Sequence, residues 1–127
     1  MIVVDTSALM AIVLNEASAA TCMSVLETET EVLISAGTVA ESLIVAGRRN
    51  VSTEMSTLIE DLGFTIVPVT AAEARRVALA YARWGRGVHP AGLNFGDCFA
   101  YALANDNGCP LLFVGDDFAR TDLARAV

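Results

Sequence analysis

The chain has 127 residues and a mass of 13.4 kDa, a size that suits one domain spanning residues 1–127 and leaves little room for a second. Hydrophobic residues make up 54% of it and charged residues 18%, which excludes a disordered or fibrous protein. A net charge of −7 would normally argue against a polyanionic partner, so the distribution of charge along the chain matters.

Positive charge is concentrated in one stretch. Residues 74–96 contain four arginines and no acid, whereas the segments before and after it are both net negative. The chain has no lysine, so every fixed positive side chain is a guanidinium, which suits bidentate contact with phosphate or carboxylate. The four arginines, Arg75, Arg76, Arg83 and Arg86, are therefore candidates for contact with phosphate groups. The alternative is a solvated face that balances the negative charge elsewhere.

The cysteines and the N-terminus indicate the compartment. Cys22, Cys98 and Cys109 are an odd set without CxxC spacing, which favours buried thiols in a reducing environment. The apolar N-terminus lacks a basic region and a cleavable small-residue site, and no apolar run reaches the roughly 20 residues needed to span a bilayer. We therefore expect a cytoplasmic protein that makes no contact with a membrane.

The first half of the chain alternates short apolar strands with helices. A β-branched run ends at Asp5, the first of three consecutive side chains able to cap the next helix. Ser52 or Thr53 is expected to cap a later helix that stops at Gly63. The predicted elements are strands over 2–4 and 31–35 and helices over 5–16, 16–29, 39–50 and 51–63.

The second half continues this alternation. Pro68 lies at the end of a strand, where its missing N–H matters least, and Gly85 stops a strongly amphipathic helix. The predicted elements are strands over 64–69 and 110–115, helices over 70–85 and 95–108, a loop over 86–94, and a turn with a final short helix over 116–127. This alternation predicts an α/β fold: a mostly parallel sheet of four or five strands with helices on both faces.

Acidic residues follow the first and the last predicted strands. Asp5 comes directly after the first, and Asp116 and Asp117 come directly after the last. Because ligands of parallel sheets bind outside the carboxyl ends of the strands, these acids are candidates for a functional site. The alternatives are a helix cap for Asp5 and turn formation for the pair.

Two further acids interrupt apolar helix faces. They are Glu41 in "TVAESLIVAG", which could lie on the surface, and Asp97 in "GLNFGDCFAYALA", which could be a helix cap. Carboxylates that converge at one sheet edge repel one another unless a cation neutralises them, and an all-oxygen site suits Mg²⁺ or Mn²⁺. The only histidine, His89, lies in a predicted loop, where it is a candidate phosphate contact, so the chain has no zinc-type ligand set.

Four segments carry a family resemblance: "VVDTSALMAIVLNE", "TVAESLIVAG", "GLNFGDCFAYALA" and "LLFVGDDFARTDLA". In order and spacing they resemble the PIN-domain ribonuclease toxins of the VapBC toxin–antitoxin type, and the resemblance covers nearly the whole chain. It implies a three-layer α/β/α sandwich around a parallel sheet. It also implies that the acids bind one or two Mg²⁺ or Mn²⁺ ions and cleave single-stranded or looped RNA.

The resemblance implies roles for individual residues. Asp5 and Asp97 correspond to direct metal ligands, and Glu41 corresponds to an acid that orients the metal or a water. Thr6 and Ser7 match the polar pair after the first acid, whose hydroxyls can hydrogen-bond the carboxylates.

Three acids near the C-terminus are candidates for the fourth position. Asp117, immediately before Phe118, matches the family's ending better than Asp116 does, although both are candidate metal ligands, and Asp122 is an outside candidate. The implied mechanism needs no protein nucleophile, because metal lowers the pKa of a water that attacks phosphorus in line.

The resemblance also implies partners. It implies a homodimer and a separate antitoxin, a segment of which lies across the apolar helices and reaches the acids with a basic side chain. Residues 8–14, 18–26 and 39–46 carry more hydrophobic surface than one face of the sheet can cover, unless all of it is core. The arginine stretch and His89 are expected to contact the RNA.

Other classes of protein fit less well. A response-regulator receiver places an acidic pair after the first strand and a lysine after the last, and a haloacid dehalogenase phosphatase needs DxD after the first strand. This chain has neither pattern. The remaining alternative is a PIN-like module that binds RNA or protein without cutting it. The presence of all four acidic positions favours the enzyme.

Overall fold

The computed structural model describes residues 1–127 and is built on a four-stranded sheet. Its strands are β1 (Ile2–Val4), β2 (Val32–Ser35), β3 (Thr65–Val67) and β4 (Leu111–Leu112). They pair in the order β3-β2-β1-β4, and every pairing is parallel. Val3 is in register with Leu33 on one side and with Leu111 on the other, so β1 is central. The predicted α/β fold with a parallel sheet is confirmed.

Six helices connect and cover these strands. They are α1 (Thr6–Val13), α2 (Ala19–Thr28), α3 (Ala36–Arg48), α4 (Ser52–Asp61), α5 (Ala71–Trp84) and α6 (Phe95–Asn107), followed by a short 3₁₀ turn over Phe118–Arg120. None of the helices has both the length and the hydropathy needed to cross a membrane.

The alternation of side chains along the strands separates two cores. Ile2 and Val4 pack into a cluster with residues of α1, α2 and α4, whereas Val3 points to the other face and packs with α5 and α6. Successive side chains of a strand face opposite sides of a sheet, so a fully buried strand serves both layers. The result is the three-layer arrangement of helices around a sheet that the sequence predicts.

Two helix starts differ from the prediction. Helix α3 begins at Ala36 instead of residue 39, because the Ser35 hydroxyl accepts a hydrogen bond from the Gly37 N–H and caps the helix three residues earlier. Helix α4 follows Val51, with no capping side chain, so the prediction of Ser52 or Thr53 as the cap is wrong. The stop at Gly63 is correct, since this residue has a φ of +63°.

The final helix predicted over 116–127 does not form. After the 3₁₀ turn the chain lies along the free edge of β4, where the Leu111 N–H donates to the Ala124 carbonyl and the Ala126 N–H donates to the Leu111 carbonyl. The Arg125 guanidinium stacks over the Phe113 ring at 4.3 Å. An edge strand leaves backbone groups unpaired, and satisfying them outweighs the helical pattern of this short segment.

The three cysteines are free and buried, as predicted. Burial, with a smaller contribution from the charge of Asp97, raises the pKa of Cys98 to about 11, so the thiol stays protonated at neutral pH. These residues therefore act as small apolar core side chains.

Helix α3 approaches α6 closely at Gly37, where an added Cβ would overlap the Phe99 ring. We expect Gly37→Ala to lower the free energy of unfolding by about 1–3 kcal/mol because the two helices must move apart. Gly47→Ala in the same helix has room for its methyl group and should instead raise stability by up to about 1 kcal/mol. Urea unfolding measures both, and equal effects would contradict the close approach.

Candidate active site

Acids from four parts of the chain meet at the carboxyl edge of the sheet. Asp5 follows β1, Glu41 lies in α3 after β2, Asp97 lies in the first turn of α6, and Asp117 follows β4. The charges of Asp97 and Glu41 raise the pKa of Asp5, and the charges of Asp117 and Glu41 raise the pKa of Asp97. These effects place Glu41 and Asp97 near Asp5, and Glu41 and Asp117 near Asp97.

Asp5 is the most buried of these acids, with 3% of its surface exposed. Its Oδ2 accepts hydrogen bonds from the Ser7 N–H at 3.0 Å and from the Ser7 hydroxyl at 2.7 Å. Its Oδ1 is buried and has no hydrogen-bond partner. Burial, with smaller contributions from the charges of Asp97 and Glu41, raises the pKa of Asp5 from 3.8 to about 7. Asp5 caps α1, and its free oxygen Oδ1 leaves it available for a site role as well.

Ser7 connects Asp5 to the far side of the site. Its hydroxyl donates to Asp5 and accepts a hydrogen bond from the Val114 N–H at 3.0 Å. Val114 comes just after β4, at the start of the segment that carries Asp117. The Ser7 hydroxyl therefore acts as both donor and acceptor, and it links the residue after β1 to the segment after β4.

Thr6 holds the carboxylate of Glu41. The Thr6 hydroxyl donates to Glu41 Oε1 at 2.6 Å, and its oxygen lies 3.0 Å from the Ser42 hydroxyl. Because the single proton of Thr6 is used on Glu41, Ser42 must donate to Thr6. An added Cβ on Gly96 would collide with the Glu41 carboxylate, so only glycine leaves room for it there. Glu41 is fixed in place between α1 and α6.

Asp97 is held by a reciprocal capping box. The Asp97 N–H donates to Asn94 Oδ1 at 2.8 Å, and the Asn94 N–H donates to Asp97 Oδ2 at 3.0 Å. Burial raises the pKa of Asp97 to about 6; the charges of Asp117 and Glu41 also raise it, while the Asn94 N–H and the Arg86 guanidinium lower it. Asp97 Oδ1 accepts no hydrogen bond and is left for another ligand.

The three candidates for the fourth acid lie in different places. Asp117 is exposed, and its charge reaches Asp97. Asp116 is exposed too, but its charge has no such effect, and its carbonyl accepts the Ala119 N–H in a turn. Asp122 accepts a hydrogen bond from the Tyr101 hydroxyl at 2.6 Å. Tyr101 lies one turn after Asp97 in α6, so Asp122 lies farther along that helix and away from the other acids. The geometry favours Asp117.

The donor set fits a hard divalent cation. The oxygen ligands are carboxylates, and Asp5 offers a buried oxygen that nothing in the chain satisfies. No three His, Cys, Asp or Glu side chains lie close enough together to enclose a metal ion by themselves. Mg²⁺ commonly binds through one or two protein carboxylates together with waters and substrate phosphate oxygens, so the fit depends on the free oxygens of Asp5 and Asp97.

The arginine stretch does not form one acid-free strip in space. Arg76 forms ion pairs with Glu73 at 3.1 Å and with Asp106 at 3.3 Å. Arg83 lies 3.8 Å from Asp122 and stacks over Trp84. Glu73 lies one turn before Arg76 in α5, Asp106 comes from the C-terminal end of α6, and Asp122 comes from the segment after the 3₁₀ turn. The expectation that no acid dilutes these arginines is wrong.

The other candidate RNA contacts also separate. Arg86 makes no ion pair and is the one cation whose charge acts on Asp97. Arg75 is exposed and also makes no ion pair. His89 is engaged within its own loop, since its Nδ1 accepts the Ala91 N–H at 3.0 Å and its ring packs edge-on against Trp84. Of the four arginines and His89, Arg86 is the one that lies beside the acids.

Sequence reasoning missed three residues that shape the site. Asn94 holds Asp97, Gly96 makes room for Glu41, and Ser42 orients Thr6. A signal existed for Asn94, because its spacing of three residues from Asp97 is that of a capping box. The roles of Gly96 and Ser42 depend on contacts between helices that are distant in sequence, and no local pattern reveals them.

The chain matches known proteins along nearly its full length. The PIN domain family profile matches residues 2–123. Ribonuclease VapC28 of Mycobacterium tuberculosis is 43% identical over 129 residues, covering 98% of this chain and 97% of that protein. Ribonuclease VapC of Mycolicibacterium smegmatis is 39% identical over 125 residues, covering 96% and 97%. The chain belongs to the PIN-domain family. Its identity to these relatives places it in the VapC group of that family.

Solved structures share the fold. VapC20 of Mycobacterium tuberculosis, described as a sarcin-ricin loop cleaving toxin, superposes with a TM-score of 0.80 at 17% identity, covering 98% of this chain and 97% of that one. A chain of a toxin-antitoxin complex from Klebsiella pneumoniae gives a TM-score of 0.74 at 16% identity, covering 100% and 98%. At these identities the likeness shows the α/β fold.

The buried carboxyl of Asp5 gives a pH-dependent prediction. Its pKa is higher in the folded chain than the 3.8 of an unperturbed aspartate, so in the absence of metal the folded state holds its proton more tightly and loses stability as pH rises from about 4 to 7. Asp5→Asn keeps the cap and removes this loss. Its stability advantage over the unmodified chain should grow across this range, by on the order of 1 kcal/mol or more.

Chemical unfolding in a chelator, at several pH values, measures this difference. Asp61→Asn is the matched control, since Asp61 is exposed and makes no hydrogen bond, and it should show no such trend. An advantage of Asp5→Asn that did not change with pH would mean that the Asp5 carboxyl titrates normally.

Proposed function

We propose that this protein is a Mg²⁺- or Mn²⁺-dependent endoribonuclease and the toxin of a type II toxin–antitoxin system. The observation that carries the proposal is the convergence of Asp5, Glu41, Asp97 and Asp117 at one sheet edge, with an unsatisfied buried oxygen on Asp5. Relatives at 43% identity named VapC ribonuclease support the same activity. The substrate class is single-stranded or structured RNA.

The hydrogen bonds that hold each acid indicate which of them would bind a metal ion. Asp5 and Asp97 each keep one carboxylate oxygen free of protein hydrogen bonds, so they are the residues that would hold a metal, with Asp117 at the exposed side. When bound, Mg²⁺ or Mn²⁺ supplies a Lewis acid that lowers the pKa of a water and offsets the charge of the phosphodiester. Asp116 is a further ligand candidate from the exposed side.

Glu41 is positioned to orient a water or to accept a proton. One carboxylate oxygen is held by Thr6, and the other faces Gly96, which provides space and no competing side chain. Thr6 and Ser7 therefore act through the acids that they hold, and do not themselves touch the substrate. A site of this kind cleaves without a protein nucleophile, which agrees with the engagement of the only histidine in its own loop.

The decisive experiment compares amide variants of two acids. We expect Asp5→Asn and Asp97→Asn to lower RNA cleavage by at least about 100-fold while leaving the chain folded, because each removes a charge that would hold metal and keeps the shape. Activity of the unmodified chain should require added Mg²⁺ or Mn²⁺, and expression of either variant should no longer inhibit growth. Asp61→Asn, an exposed change of the same kind at a residue that makes no ion pair or hydrogen bond, is the control for cleavage.

Two results would contradict this function. Undiminished cleavage by Asp5→Asn at saturating Mg²⁺ would exclude the carboxylate site. RNA binding with neither cleavage nor thermal stabilisation by metal would identify a non-catalytic module instead.

Apolar surface supports the proposed protein partners. On α3, Leu43 and Ile44 are exposed, and we propose that they contribute to a homodimer. A separate groove of about 470 Å³ runs between α1, α2 and α4, and its apolar walls with Glu54 and Asp61 at the rim suit a basic, amphipathic antitoxin segment. Much of the apolar surface predicted to be free, such as Leu9 and Met10, is core.

Light scattering tests the dimer. Ile44→Asp should convert a dimer into a monomer at micromolar concentration, because it places a charge in an apolar contact. Leu79→Asp, at an exposed apolar residue of α5, should leave the mass unchanged. A strict monomer for the unmodified chain would contradict the proposed dimer.

A further inference from the structure

An open cleft of about 290 Å³ adjoins the acidic site on the side of α5. It is lined by Tyr81, Arg86, Asn94 and Phe95, and we call it the aromatic cleft. Phe95 is 71% exposed and Tyr81 is 41% exposed. Two exposed aromatic rings around a guanidinium are not needed by the core, since neither ring belongs to the two buried clusters. The cleft is therefore a candidate binding surface.

Phe95 is presented at the edge of the site in a fixed orientation. It is the first residue of α6, two positions before Asp97. Its ring packs edge-on against the Phe99 ring, with 4.9 Å between the centroids and 81° between the planes. Phe99 in turn packs against Gly37 of α3. The Phe95 ring is thus held from one side by the half-buried Phe99, and its other side is open to solvent.

The polar members of the aromatic cleft are also available. Arg86 makes no hydrogen bond or ion pair through its side chain, although its charge acts on Asp97. Asn94 uses its Oδ1 to cap α6, and its amide nitrogen donates to nothing in the chain. Arg76 and Arg83, in contrast, are paired with acids. The aromatic cleft therefore combines a flat apolar face, a free guanidinium and a free amide.

We propose that the aromatic cleft binds one unpaired nucleotide of the RNA next to the cleaved phosphate. The base stacks on Phe95, the Asn94 amide donates to the base or sugar, and Arg86 contacts the adjoining phosphate. Proteins recognise single-stranded RNA with this set of groups, because every base has a flat face and every nucleotide a phosphate. The proposal rests on the proposed ribonuclease function and names a nucleotide subsite within it.

A protein partner fits this cleft less well. An apolar partner seated on Phe95 would also bury the Arg86 guanidinium and the Asn94 amide, and burying such groups without partners is unfavourable. A neighbouring groove along α3 is lined by Ile44, Arg48 and Phe95, so Phe95 lies between that apolar surface and the aromatic cleft. A nucleotide satisfies the polar and aromatic members of the cleft together.

The test measures binding of a short fluorescein-labelled single-stranded RNA by anisotropy, in an Asp5→Asn background that does not cleave. Phe95→Leu keeps an apolar side chain and removes the aromatic face, so we expect affinity to fall roughly 5- to 150-fold. Phe95→Tyr should retain it. Arg86→Gln should flatten the slope of log affinity against log salt by about 0.7. Arg49→Gln, an exposed arginine at the end of α3, should change neither.

A second probe separates stacking from a structural effect. With an abasic RNA strand of the same length, Phe95→Leu should no longer weaken binding, whereas Arg86→Gln should still do so. Equal losses on both probes, or full affinity of Phe95→Leu for the normal RNA, would overturn the stacking subsite. A variant that lost self-association instead of RNA affinity would assign the cleft to a protein interface. Cleavage by the unmodified chain is scored separately, so failure of the ribonuclease function is distinguishable from failure of the subsite.

Discussion

The burial of one carboxylate at the end of the central strand governs the site. Asp5 lies where β1 stops and α1 begins, with almost no exposed surface. Hydrogen bonds from Ser7 satisfy one of its oxygens and leave the other unpaired. A buried, half-satisfied carboxylate is unfavourable for folding unless it is protonated or meets a cation. In the proposed function, a divalent cation bound beside Asp5 would offset the free energy of folding that is lost by burying this carboxylate.

The remaining acids are placed by helix starts and not by a dedicated scaffold. Asp97 is held by a capping box, and Glu41 is held by the hydroxyl of Thr6 in the first turn of α1. Helix N-termini carry partial positive charge and unpaired N–H groups, so they stabilise carboxylates at the same edge where the strands end. The groups that terminate regular structure in this fold are therefore also the groups that build its site.

The parts of this arrangement that could be predicted are those set by local sequence. The order of strands and helices and the positions of Asp5 and Asp97 beside them could be predicted, because each depends on neighbours within a few residues. The predicted ends of the third and fourth strands, at residues 69 and 115, were too late, since β3 ends at Val67 and β4 at Leu112. The pairing of Arg83 with Asp122 and the space that Gly96 leaves for Glu41 could not be predicted, because they depend on how elements distant in sequence pack. The prediction of a final helix was wrong for the same reason, since the last residues hydrogen-bond to the edge of β4 instead.

The pairing of the arginines changes how an acidic protein could hold RNA. With Arg76 and Arg83 engaged by acids, few free cations remain near the site, and Arg86 is the one that adjoins it. With so few cations able to contact phosphates, electrostatic attraction contributes little to RNA affinity, and the affinity depends only weakly on salt concentration. Affinity must then come from contacts that do not depend on net charge, which means stacking on an aromatic face and coordination of phosphate oxygens through a divalent cation. Under the proposed function, such a surface would discriminate flexible, unpaired RNA from duplex, because only an unpaired base can leave its stack and lie on Phe95.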